Sequence, residues 1–182
     1  MGVVDDLSSL ARDIDAVCRL TGSFTLRSGQ VATEYFDKYL FESRPDLLRR
    51  VAQAMVPILP AGADLLGGLE LGGVPIATMV SQLTGTPTLF VRKQAKTHGT
   101  CRLAEGADVA GKTVVLIEDV ITTGGAVRDA ARELRADGAR IEVVMCAIDR
   151  SPSDQHPLGD TGLEVRSVLT RAALDSACLT SP

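Results

Sequence analysis

The sequence predicts an α/β protein with a central, mostly parallel sheet flanked by helices on both faces. Three observations carry that expectation. From residue 64 onward, short strand-like segments alternate with helical ones. The segment Thr113–Ile117 has almost no polar residues, as a strand covered on both faces requires. The chain has 182 residues and is 45% apolar, which suits one globular domain with a sizeable core.

In chain order, Val3, Leu7, Leu10, Ile14, Val17 and Leu20 recur at helical spacing, and Thr21-Gly22 reads as the stop of that helix. Phe24–Leu26, a Ser28-Gly29 turn and the β-prone Tyr35-Phe36 segment predict a hairpin. Pro45 starts a second helix that extends to about Leu59. Strands are expected at Asp64–Gly67, Thr88–Val91, Thr113–Ile117, Ile141–Ile148 and Val165–Leu169. Helices are expected at Val74–Leu83 and Gly125–Asp137, with a short one at the C-terminus. Ser151–Gly159 reads as a polar loop.

Charged residues are 23% of the chain and the net charge is -4, which excludes a disordered chain and a basic nucleic-acid coat. Aromatics are only 3% of residues. Phe24, Tyr35, Phe36, Tyr39 and Phe41 crowd near the N-terminus, leaving Phe90 alone. That distribution argues against RNA binding by ring-stacking sheets. Cys18, Cys101, Cys146 and Cys178 are widely spaced, which points to a reducing compartment rather than a disulfide framework. Asp5 and Asp6 do not suit a signal peptide, and no apolar run reaches the ~20 residues of a membrane span. A cytoplasmic protein is expected.

The chemistry concentrates after the central strand, where Glu118-Asp119 is followed by Thr122-Thr123-Gly124-Gly125-Ala126. A Thr/Gly loop opening a helix offers hydroxyls and backbone N–H groups to a phosphate monoester. The glycines allow close backbone approach. Two carboxylates at the carboxyl end of a strand suit sugar hydroxyls or a Mg2+ ion better than a phosphate. The stretch lacks the Gly-Lys-Ser/Thr of a P-loop and the Gly-x-Gly-x-x-Gly of dinucleotide folds.

A second cluster is basic. No Asp or Glu lies between Glu70 and Glu105, and that stretch holds Arg92, Lys93, Lys96, His98 and Arg102. Following a strand and tipped by Gly99, it reads as a mobile loop able to close over a diphosphate and exclude water.

The stretch around Glu118-Asp119 resembles the phosphoribosyl-diphosphate (PRPP) signature of type I phosphoribosyltransferases. The pattern Arg92-Lys93-x-x-Lys96-x-His98-Gly99 is similar to the catalytic loop of the orotate phosphoribosyltransferases. Phe24–Gly29, Tyr35-Phe36-Asp37 and Asp149-Arg150 also resemble that family. The resemblance implies the type I fold as a single domain over 1–182, with N-terminal hood and hairpin elements at 1–44. The core would span 45–182, with a flexible loop at about 92–105. It implies that Glu118 and Asp119 meet the ribose hydroxyls, and that Thr122, Thr123, Gly124, Gly125 and Ala126 hold the 5′-phosphate. Gly72 and Gly73 would offer backbone N–H groups to the diphosphate. Arg92, Lys93, Lys96 and His98 would act on the diphosphate, with Lys93 reaching into the other subunit of a homodimer. Arg27, Tyr35, Phe36 and Arg150 would form the orotate side. Mg2+ would arrive mainly on PRPP, with Glu118 and Asp119 as candidate direct ligands. Three positions depart from the family pattern. Arg27 stands where many members carry lysine, Glu118 where aspartate is frequent, and Gly68–Gly73 lacks a lysine some members have near Gly72.

The implied reaction moves ribose 5-phosphate from PRPP to orotate, giving orotidine 5′-monophosphate and diphosphate in de novo pyrimidine (UMP) synthesis. The alternatives are a PRPP-binding regulator without catalysis and a type I enzyme for another base. A Lys96→Ala variant is expected to lose kcat far more than fold stability. Steady-state turnover measured beside a thermal melt checks this, and unchanged turnover overturns the role given to Lys96.

Overall fold

The structure is a computed structural model that describes residues 6–26, 28–94, 103–152 and 157–179. Helix α1 covers Leu7–Cys18 and begins where the Asp6 carboxylate accepts the Ser8 N–H at 3.0 Å. Its buried stripe is Leu10, Ala11, Ile14 and Cys18. Thr21-Gly22 does not end it. The chain passes directly into strand β1, Arg19–Thr25, which pairs antiparallel with β2, Val31–Phe36. Gly22 falls where the register shifts between Thr21 and Phe24, so the glycine serves an irregularity in the hairpin rather than a helix stop. Arg19 secures the junction. Its guanidinium lies 2.8 Å from Asp15, 3.3 Å from Glu34 and 3.0 Å from Asp175, which joins α1 to the hairpin and to the C-terminal helix.

A short helix, α2 (Tyr39–Glu42), follows the hairpin and was not expected. Helix α3 spans Pro45–Met55 with proline in its first turn, and then tightens into a 3-10 turn at Val56–Ile58. The predicted helix ran on to Leu59. Pro57 removes a backbone donor there and ends the regular α-helix.

The main sheet has six strands in the order β5-β4-β3-β6-β7-β8. Strands β3 (Leu65–Leu69), β4 (Thr88–Val91), β6 (Val114–Ile121), β7 (Val143–Asp149) and β8 (Glu164–Thr170) are parallel. The two-residue strand β5 (Ala104–Glu105) is antiparallel at the edge and carried no signal in the sequence. Helices α4 (Gly73–Thr84), α5 (Gly125–Ala136) and α6 (Arg171–Leu179) complete the chain. Along β6, Val115 and Ile117 enter one core cluster with α1, α3 and α4, whereas Val114 and Leu116 enter a second with α5. This alternation places helices on both faces of the sheet.

Strand order locates the site. From β3 the chain moves outward to β4, then returns to add β6 on the other side of β3. The carboxyl ends of β3 and β6 therefore face a crevice at a topological switch point. Phe41, in α2, has no exposed surface and packs in the α1–α3 core. A Phe41→Ala variant is expected to lose roughly 3 to 5 kcal/mol of stability, read from urea unfolding midpoints.

Candidate active site

Two loops frame the crevice, one after β3 and one after β6. Strand β6 is longer than expected, so Glu118 and Asp119 lie within it, before Val120 and Ile121, rather than at its end. Their enclosure follows from this position: Asp119 is 0% exposed and Glu118 only 8%. The Asp119 amide donates to Glu118 Oε1 at 3.0 Å, and the Val120 amide donates to Asp119 Oδ1 at 2.5 Å. The remaining Asp119 oxygen, Oδ2, is 2.6 Å from the Lys38 ammonium. Glu42, at the end of α2, buries its carboxyl against the same group. Gly72 comes so close that a Cβ there would overlap Asp119 Oδ2 and lie 2.5 Å from Glu42 Oε1. Only glycine fits this approach.

The three carboxyls share their protons unequally. Burial pushes the Glu118 carboxyl up to about 9 and the Glu42 carboxyl up to about 8, and in each a hydrogen bond to Asp119 adds to the rise. Burial also opposes ionisation of Asp119. Hydrogen bonds from Glu118, Lys38 and Glu42 outweigh it and hold that carboxyl below its usual value. Asp119 raises Lys38 in return, against the effect of desolvation. At neutral pH the cluster is one carboxylate, one ammonium and two protonated acids, close to net neutrality.

Glu118 and Asp119 do not fit a direct Mg2+ site. The ammonium of Lys38 lies 2.6 Å from the free oxygen of Asp119, and both acids are buried. Among the described residues, no group of three or more His, Cys, Asp or Glu side chains is arranged to hold a metal.

The loop after β6 leads directly into helix α5. Helix α5 starts at Gly125 with no side-chain cap and no acid in its first turn, so its N–H groups face the crevice end unscreened. Gly124 has φ +70°, a backbone conformation that favours glycine, and a Cβ there would press to 2.7 Å from the end of the Leu158 side chain. Thr122 and Thr123 are exposed beside it.

On the opposite side, Arg92 and Lys93 stand at the root of the basic loop. The Arg92 guanidinium is 3.7 Å from Glu105, and the Lys93 amide donates to Glu70 at 3.0 Å. With Ala126, Arg132 and Glu133 of α5 they line a cavity of about 660 Å3. Lys96, His98 and Arg27 lie outside the described residues.

The base side forms around Phe36. The guanidinium of Arg150 sits 4.7 Å from that ring centroid. Asp149 shapes the turn that presents Arg150, accepting the Ser151 N–H at 2.9 Å and its hydroxyl at 2.6 Å. Burial and the neighbouring cations Arg171 and Arg19 depress the Arg150 pKa, so this guanidinium would gain from an anionic ligand. Tyr35 stays half-exposed and pairs with Phe24, with ring centroids 5.5 Å apart.

Sequence reasoning missed Lys38 and Glu42. The spacing of four residues and the position directly after Tyr35-Phe36-Asp37 were visible, but no motif drew attention to them.

The model of the phosphoribosyl transferase domain matches residues 45–164, which places the chain among the phosphoribosyltransferases. The chain is 75% identical over 170 residues to an orotate phosphoribosyltransferase of Nocardioides sp., covering 93% of this chain and 95% of that one. It is 37% identical to the enzyme of that name from Methanocella arvoryzae, covering 84% and 87% of the two chains. A solved orotate phosphoribosyltransferase of Mycobacterium tuberculosis H37Rv, in complex with Fe(III) dicitrate, superposes with a TM-score of 0.81 at 30% identity, covering 92% and 98%. The chain belongs to the orotate phosphoribosyltransferase family.

The raised acids predict a pH signature. A carboxyl whose pKa rises on folding favours the folded state at low pH and loses that advantage as pH climbs. For Glu42 the window runs from its ordinary 4.5 to about 8. Glu42→Gln keeps a neutral hydrogen-bonding group there. Its melting temperature relative to the wild type is expected to rise between pH 5 and pH 8.5, as measured by calorimetry; a difference that does not change with pH counts against a protonated Glu42.

Proposed function

We propose that this chain transfers ribose 5-phosphate from PRPP to N1 of orotate, releasing diphosphate and forming orotidine 5′-monophosphate for UMP synthesis. The observation that carries the reading is the adjacency of two half-sites. Phe36, beside Arg150, offers a ring face and a cation to a flat anionic base. Two residues later Lys38 reaches the Asp119 cluster, the natural seat of a ribose.

The bond from ribose C1 to the diphosphate oxygen breaks with its electron pair leaving on the diphosphate. The sugar becomes oxocarbenium-like, as in glycoside hydrolysis. The orotate N1 lone pair then closes the new C–N bond as N1 gives up its proton to the departing diphosphate. No protein nucleophile is needed, so the chain contributes position and charge stabilisation. The open N-terminus of α5 and the Thr122–Ala126 loop hold the 5′-phosphate. Glu118 and Asp119 form the ribose side of the crevice, with Asp119 behind the Lys38 ammonium. Arg92, Lys93, Lys96 and His98 stabilise the departing diphosphate, and backbone N–H groups at Gly72 and Gly73 flank it. Arg27 joins Arg150 on the base side. Mg2+, carried by PRPP, would supply neutralising charge.

The active form is a homodimer in the cytoplasm, with Lys93 serving the partner's site. Exposed apolar surface supports the dimer: Val31, Tyr35, Tyr39 and Leu26 line the hairpin region. No helix among the described residues is long and apolar enough to cross a membrane. The test is a PRPP-dependent assay with Mg2+, offering orotate, uracil and hypoxanthine in turn. Orotate absorbance should fall while the other two bases remain. Absence of orotate consumption overturns the proposal, and preference for hypoxanthine would reassign the base.

A further inference from the structure

We propose that Lys38 is a positioning residue of the ribose site, holding the Asp119 carboxylate in place. The inference rests on the reading that the Glu118–Asp119 pair belongs to the ribose site.

Lys38 Nζ lies 2.6 Å from Asp119 Oδ2, and 34% of the Lys38 side chain is exposed while none of Asp119 is. The ammonium is thus the face of this cluster that an incoming sugar meets. The loop itself has no cation to offer, since Gly68–Gly73 contains Glu70 but neither Lys nor Arg. Nor could a side chain be placed at Gly72, because its Cβ would overlap Asp119 Oδ2. The ammonium beside Asp119 comes instead from Lys38, directly before α2. Lys38 and Glu42 stand one helical turn apart around the fully buried Phe41, so the core fixes both against Asp119. An ion pair of this length restrains a buried carboxylate. Lys38 also follows Phe36 by two residues, so the same ion pair joins the base-facing hairpin to the ribose-facing strand.

The experiment compares wild type, Lys38→Met, Lys38→Arg and Asp119→Asn by steady-state kinetics, varying PRPP and orotate separately, with a thermal melt for each. Lys38→Met should raise KM for PRPP roughly tenfold or more, the scale of one hydrogen bond to a charged group. KM for orotate should stay within about twofold, and Lys38→Arg should recover part of the loss. If Asp119→Asn raises KM for PRPP but Lys38→Met leaves it unchanged or lowers it, the inference fails and the ribose assignment stands. If Asp119→Asn leaves that KM unchanged, the ribose assignment fails, and the inference with it. Equal rises in both KM values, a lowered melting temperature and no recovery in Lys38→Arg would mean a purely structural role and overturn the proposal. Should Lys38→Met not fold, Lys38→Gln carries the same comparison.

Discussion

A charged carboxylate with no exposed surface is costly unless it is paired and hydrogen-bonded, and Asp119 sets that constraint for the whole site. Its partners come from separate parts of the chain. Lys38 reaches it from the start of α2, Glu42 from the end of the same helix, and Glu118 from the adjacent position in β6. Gly72 must lack a side chain to let the loop after β3 close against it. Phe41 is buried between Lys38 and Glu42 because α2 has to be held where both can reach inward. Removal of any one of these would leave Asp119 either unpaired or displaced.

The pairing also resolves an electrostatic difficulty. Adjacent acids beside a phosphate cradle would repel a substrate as anionic as PRPP if all were ionised. With Glu118 and Glu42 protonated and Lys38 facing Asp119, the centre of the crevice is nearly neutral. Positive potential is kept for the ends: the open first turn of α5, Arg92 and Lys93 at the root of the basic loop, and Arg150 beside Phe36. A neutral middle between cationic ends suits a substrate whose charges sit on its two phosphate-bearing termini.

The N-terminal aromatics divide among tasks that composition could not separate. Phe41 packs the core, Phe36 lies under Arg150, and Phe24 and Tyr35 pair with each other on the hairpin. Tyr39 remains half-exposed next to Lys38, 5.3 Å from its ammonium. Arg19 steadies the whole segment by bridging Asp15, Glu34 and Asp175 from three elements.

By itself the sequence determined the layered α/β class, the β1–β2 hairpin, the strand at Thr88–Val91, the helix after Gly124 and the Thr/Gly loop that opens it. Each of these is local: apolar runs, period, glycine position and helix-end chemistry lie within a few residues of one another. Tertiary structure decided the rest. Thr21-Gly22 became part of a strand because pairing with β2 overrides a local stop signal. Strand β6 ran past Glu118-Asp119 because β7 continues beside it to Asp149, which drew both acids into the interior. Lys38 and Glu42 carry meaning only once α2 folds against β6, some 80 residues further along the chain. Protonation follows burial and neighbouring charge, and both are properties of the packed molecule, so no spacing in the sequence could reveal which of three acids keeps its charge.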